Sequence, residues 1–142
     1  MMLEEKSADE VDLVIPMLPD IEVTATKTAS AIAEYMRFDS DKIDELNQAL
    51  IEACINSFEH GKSLDNKLYI TFVMQNDELT VIIKDKGNGF DMSQVDEKPD
   101  IKNKLKSSYK RGWGLMLIKN LMDKVEIKSS PQGTTLTMTK IR

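Results

Sequence analysis

A chain of 142 residues with 41% apolar content can build one domain with a real core, but it is too short for a sensor and an effector side by side. A net charge of −5 and a pI near 5.0 speak against direct, general nucleic-acid binding, so any basic site has to be local. No apolar run nears the roughly 20 residues of a membrane span, and Met1-Met2-Leu3-Glu4-Glu5-Lys6 lacks a signal-peptide layout, so the expected location is the cytoplasm, away from the membrane.

Val11 to Met17 is a short β-prone run closed by Pro16 and Pro19, a first strand. From Ile21 to Phe38 the apolar spacing of Ala29, Ile32, Ala33 and Met36 predicts a helix, despite threonines that lower its propensity. Asp39-Ser40-Asp41 can cap a second helix, on which Ile43, Leu46, Leu50, Ala53, Cys54 and Phe58 share one face and which Gly61 ends. Cys54 is the single cysteine, which excludes an internal disulfide and a cysteine-based zinc site. Its flanks Ala53 and Ile55 offer no activating base, so it is expected as a small buried apolar residue.

Alternation around Leu68, Ile70, Phe72 and Met74 predicts a strand from Lys67 to Gln75; Asn76-Asp77 turns the chain, and Leu79, Val81 and Ile83 continue the pattern as a hairpin. Glycines at 87 and 89 end it. Residues 91 to 111 are a polar stretch too long for an ordinary connection, expected to be mobile between about 93 and 110 while the site is empty. Between Lys98 and Arg111 it carries six Lys or Arg against the single acid Asp100, a local basic patch in an acidic chain. A helix from Leu115 to Met122, a strand from Lys124 to Lys128, a turn at Ser130-Pro131-Gln132-Gly133 and a strand from Thr134 to Ile141 complete the chain. The order predicts an α+β fold, a two-layer sandwich with a mostly antiparallel sheet and the helices on one face.

Three segments carry chemistry. In Arg111-Gly112-Trp113-Gly114-Leu115 two glycines run into an apolar helix behind Lys110 and Arg111, which suits an anion seat: backbone without Cβ atoms and unpaired N–H groups at a helix start. Glu52 and Asn56 stand one helical turn apart, off the apolar stripe, so a carboxylate and an amide oxygen face one spot. An amide oxygen suits Mg²⁺ that takes the rest of its shell from phosphates and water, and the carboxylate could accept a hydroxyl proton. An ordinary solvated helix face accounts for the same pair. Asp85 ends an apolar strand and needs a donor, either an adenine amino group or a local backbone N–H in an Asx turn. His60 suits a helix C-terminus.

Taken in order, Glu52-x-x-x-Asn56, Asp85-x-Gly87-x-Gly89-Phe90 and Gly112-x-Gly114-Leu115 resemble the N, G1 and G2 boxes of the Bergerat-fold (GHKL) ATPases. Within them, Ile51-Glu52-Ala53, Glu59-His60-Gly61 and Leu121-Met122-Asp123-Lys124-Val125 are similar to the bacterial anti-sigma-factor serine/threonine kinases, over nearly the whole chain to Gly133-Thr134-Thr135. The resemblance implies a single ATPase domain over residues 1–142 with a flexible ATP lid from Asp91 to Arg111. It implies ATP and Mg²⁺ as ligands. Asn56 then holds the metal, Glu52 is the general base toward a partner serine, Asp85 accepts from adenine, Gly87 and Gly89 line the base, and Gly112 and Gly114 line the phosphates. Thr134 supports Asp85 or its water, and Lys110 or Arg111 reaches the γ-phosphate. Trp113 departs from the smaller apolar residue often found between the G2 glycines, which bears on lid packing.

The implied partners are an alternative sigma factor, which such a protein sequesters, and a STAS-domain anti-anti-sigma factor, which it phosphorylates on serine; homodimers are usual among such proteins. A histidine kinase would need a phosphoaccepting histidine on a separate helix, yet the only histidine is His60, inside the N-box helix. Two other classes stay open: a nucleotide-dependent switch that sequesters a partner without phosphoryl transfer, and a structural adaptor with no ligand.

Overall fold

The computed structural model describes residues 8–60, 63–87 and 107–142, the side chains of residues 60 and 107–113 lying outside that description. Strand β1 (Asp9–Pro16) leads into helices α1 (Glu22–Tyr35) and α2 (Ser40–His60), followed by the hairpin of β2 (Lys67–Gln75) and β3 (Glu78–Asp85). Helix α3 (Ser107–Leu121) then precedes a second hairpin, β4 (Lys124–Ser130) and β5 (Gly133–Ile141). The five strands form one sheet in the order β1-β2-β3-β5-β4, every neighbouring pair antiparallel, in line with the expected α+β class.

Strand alternation sets the layers. The register aligns Ile70, Ile83, Leu136 and Ile127 in one row across the sheet and Phe72, Val81, Met138 and Val125 in the next. These side chains pack with Ala29, Ala33, Leu46, Leu50, Ala53 and Ile118 of the helices in one core. Because side chains on a strand alternate between faces, Asp85, two residues beyond Ile83, lies on this helix-covered face, in a row with Leu68 and Thr134.

Helix α2 starts where the sequence placed a cap: the carboxylate of Asp39 accepts the N–H of Lys42 at 2.9 Å. Helix α1 ends before Phe38 because Arg37 adopts a left-handed conformation, φ 68. The N–H of Phe38 then reaches Ala33 O at 3.0 Å and that of Arg37 reaches Glu34 O at 3.0 Å, the paired bonds of a Schellman turn that seats Phe38 in the core.

The start of α3 differs from the sequence reading. It begins at Ser107, not Leu115, so residues 107–111 belong to the helix instead of the connecting stretch, and Gly112 and Gly114 sit in its body instead of its open first turn. Each glycine costs a helix about 1 kcal/mol relative to alanine, a local preference that the packing of α3 on α2 outweighs. Gly61, Gly89, Phe90 and most of the stretch expected to be mobile lie outside the described residues.

Candidate nucleotide-binding site

Asp85 is the acid whose position at the end of an apolar strand demanded donors, and it is only 6% exposed. Its Oδ1 accepts two backbone N–H groups, that of Gly87 at 3.1 Å and that of Thr134 at 3.2 Å. The first is the local Asx-type bond; the second comes from the far side of the β3–β5 pair. Among the described residues both bonds fall on Oδ1 and none on Oδ2. Desolvation raises the Asp85 carboxyl above the usual carboxylate range; the two N–H groups pull the other way, and the nearby Asp65 charge adds to the rise.

Gly133 allows this arrangement. Its φ is +141, and a Cβ there would fall 2.1 Å from Asp85 O, so only a glycine lets the β4–β5 turn lie against the end of β3. The sequence marked this residue as part of a turn but gave no sign of its contact with Asp85. The hydroxyl of Thr134 is not directed to Asp85 but pairs with Ser129 Oγ at 3.2 Å; it is the backbone of Thr134 that reaches the acid.

On α2, Glu52 and Asn56 are half-buried, one turn apart, and of the residues between them Ala53 and Cys54 point into the core. Asn56 and the G2 segment come together directly. A Cβ on Gly114 would stand 2.4 Å from Asn56 Nδ2, 3.0 Å from its Oδ1 and 3.1 Å from its Cγ. The bare backbone of α3 therefore rests on the asparagine amide. Cys54 is fully buried, and burial, helped by the charge of Glu22, pushes its thiol up to about 12, which removes it as a nucleophile.

Lys110, Arg111 and Gly112 lie on α3 ahead of Gly114, and Gly87 is buried beside Asp85. The side chains of Lys110 and Arg111 and the whole of Gly89 fall outside the described residues. Beside Asp85 the fold also gathers three residues that the sequence did not flag: Asp65, Tyr69 and Lys86. The Tyr69 hydroxyl donates to Asp65 Oδ2, and Lys86 Nζ lies 4.6 Å from the Tyr69 ring centroid. An Asp-Asn pair just before a strand hints at a turn there, but nothing local to it indicates the link to residue 86.

The residues present fit a nucleotide with a divalent cation: a buried carboxylate with one oxygen unengaged among the described residues, and a helix glycine, Gly114, pressed to an amide whose oxygen can ligate a hard ion. The model of the histidine kinase-like ATPase domain matches residues 15–140. The chain belongs to this family. Among its relatives in the family, the serine-protein kinase RsbW of Bacillus velezensis is 32% identical over 141 residues, covering 94% of this chain and 86% of that protein. The protein of the same name from Bacillus subtilis is 30% identical over 143 residues, covering 96% and 88%. In fold, the structure of the RsbU and RsbW domains of a Mycobacterium tuberculosis protein superposes with a TM-score of 0.69 at 16% identity, covering 94% of this chain and 32% of that one. Among the described residues, no helix of this histidine kinase-like ATPase is long and apolar enough to cross a membrane.

Proposed function

We propose that this chain is an ATP-dependent serine/threonine protein kinase of the anti-sigma-factor type. It sequesters an alternative sigma factor, and it phosphorylates a STAS-domain anti-anti-sigma factor on serine, which inactivates that antagonist and keeps the sigma factor held. Relatives named serine-protein kinase over most of both chains support the activity. The observation that carries the site is the closure of Gly114 on the Asn56 amide, which joins the N and G2 segments; Asp85 lies on the sheet face that the helices cover.

In this reading Asp85 Oδ2 accepts from the adenine amino group, while Oδ1 is held by Gly87 and Thr134. Gly87 and Gly89 leave room for the flat base, Gly112 lines the phosphates, Gly114 makes room for the Asn56 amide that meets them, and Lys110 or Arg111 supplies positive charge to the terminal phosphate. Asn56 would hold Mg²⁺, which would supply charge neutralisation at the phosphates. Glu52, one turn before it, accepts the proton of the attacking serine hydroxyl. Positioning and electrostatics carry most of the catalysis, as is general for phosphoryl transfer. The protein acts in the cytoplasm as a homodimer.

The test is incubation with labelled ATP, Mg²⁺ and a STAS-domain protein from the same cell. Phosphoserine that forms with the native chain and disappears in Glu52→Ala, with ATP binding retained, is the expected result. ATP binding without any transfer would overturn the kinase and leave a binding switch; no rise in melting temperature with ATP would overturn the nucleotide site itself.

A further inference from the structure

We propose that Asp65, Tyr69 and Lys86 are positioning residues for base recognition, a brace on the outer face of the sheet that holds the Asp85–Gly87 turn in one orientation. This deepens the nucleotide site above and rests on Asp85 meeting the adenine.

Residue 86 lies beyond the last ladder pair of β3, Leu68 with Asp85, so the ladder does not hold it. Other contacts do. The N–H of Leu64 donates to Lys86 O at 3.0 Å, and the Lys86 side chain, on the face opposite Asp85, extends over the Tyr69 ring. Tyr69 is fixed in turn by its hydroxyl, which donates to Asp65 Oδ2. Asp65 is anchored through Oδ1, which accepts Ser63 Oγ at 2.8 Å and the N–H of Lys67 at 3.2 Å. The Tyr69 and then the Ser63 hydroxyl hold the Asp65 carboxyl down to about 2, so it stays ionised at any working pH. The loop is tied to β1 as well, since Met17 N–H donates to Asn66 O at 2.9 Å.

The turn is thereby gripped from both sides, by Gly133 against Asp85 O and by the brace against Lys86. Because successive residues of an extended chain point to opposite faces, fixing the Lys86 side chain on one face fixes the Asp85 carboxylate on the other. A hydrogen bond to a base edge depends on that orientation, whereas phosphate contacts made from α2 and α3 do not.

The experiment compares Mg²⁺–ATP with inorganic tripolyphosphate, each as a competitor of a fluorescent ATP analogue, in the native chain, Tyr69→Phe and Lys86→Met. Tyr69→Phe keeps the ring under Lys86 and removes only the hydroxyl. Both variants are expected to weaken ATP by about threefold to tenfold, the loss of one partly exposed contact, with tripolyphosphate affinity unchanged. The double variant is expected to lose no more than about the larger single effect, because both act through one brace. Unchanged ATP affinity in both variants, or equal weakening of ATP and tripolyphosphate, overturns the brace while the site stands. A native chain that binds no ATP overturns both.

Discussion

Gly114→Ala separates the fold from the site, because one added carbon acts on each with a different size. In a helix body the change from glycine to alanine gains about 1 kcal/mol. The new Cβ would lie 2.4 Å from Asn56 Nδ2, and overpacking of that kind costs about 1–3 kcal/mol when the neighbours are rigid. The atoms in the way are the end of a side chain, so the amide swings aside, the clash is relieved, and the net stability of the empty protein changes by less than about 1 kcal/mol. In the proposed site the displaced amide would no longer meet Mg²⁺ and the phosphates, and ATP affinity is expected to fall at least about tenfold, or 1.4 kcal/mol. Melting curves read both quantities. At an ATP concentration 100 times the native Kd, ligand stabilisation is about 2.7 kcal/mol. At about 4 °C per kcal/mol for a domain of this size, the native protein rises by about 10 °C. The variant at the same ATP concentration rises by only about 5 °C. Adding Gly114→Ala to Asn56→Ala is expected to cost no further affinity, since both act through one amide. A full native rise in Gly114→Ala, or additive losses in the double variant, would refute the contact as the seat of nucleotide binding.

Asp85→Asn is expected to stabilise the empty protein at neutral pH, because it removes a desolvated charge yet keeps an oxygen for the Gly87 and Thr134 N–H groups; calorimetry without nucleotide reads this. The folded carboxyl titrates above its unfolded value, so the fold favours the protonated acid: its contribution is present below about pH 4 and lost as pH rises through the folded value. The advantage of Asp85→Asn therefore vanishes in acid, while ATP affinity drops at least about tenfold, as an amide NH₂ facing the base amino group replaces an acceptor. Glu52→Gln is expected to bind ATP normally and to transfer phosphate about 10²–10⁴-fold more slowly, measured as single-turnover phosphoserine formation; an unimpaired rate refutes the general base. Arg37→Gly is expected to raise stability by about 0.5–1 kcal/mol in urea melts, since φ 68 strains a residue with a Cβ.

Helix α2 was legible because two independent signals agreed, a one-face apolar spacing and a capping Asp39, and both are local. The β2–β3 hairpin was legible for the same reason, with Asn76-Asp77 at its turn. The start of α3 was not, because its glycines argue locally against helix, while Gly114 meets α2 in a contact that no window of sequence contains. The strand order likewise depends on pairing between distant segments, with β5 lying between β3 and β4. Lys140 shows the limit of patterning: it occupies a core-facing position, 6% exposed, where alternation calls for an apolar residue. Its ammonium reaches Glu45 at 2.7 Å and Leu121 O at 2.5 Å, which satisfies the charge and clasps the end of α3 to α2. The Asp85 position was legible as a need for donors, and the structure answers that need on one oxygen with a local N–H and a remote one.

The residues of the candidate site share a physical address, the border between core and solvent. Fully buried positions on α2, such as Leu50 and Ala53, are committed to packing, and fully exposed ones cannot hold a side chain still. Glu52 and Asn56 lie between these limits, half-buried. Asn56 has the bare backbone of Gly114 against its amide, and Asp85 has two backbone N–H groups on one oxygen. Among the described residues, the Asp85 carboxylate is held by backbone N–H groups and the Asn56 amide is met by helix backbone, not by a charged side chain that would compete with a phosphate or a metal for the same atoms. Glycines stand at both places: at 114 the omitted carbon lets the helix backbone meet the Asn56 amide, and at 133 it lets the β4–β5 turn lie against the main chain of Asp85. A site held by main chain in this way adds no further negative charge where a polyanion would approach, in a chain whose net charge is already −5.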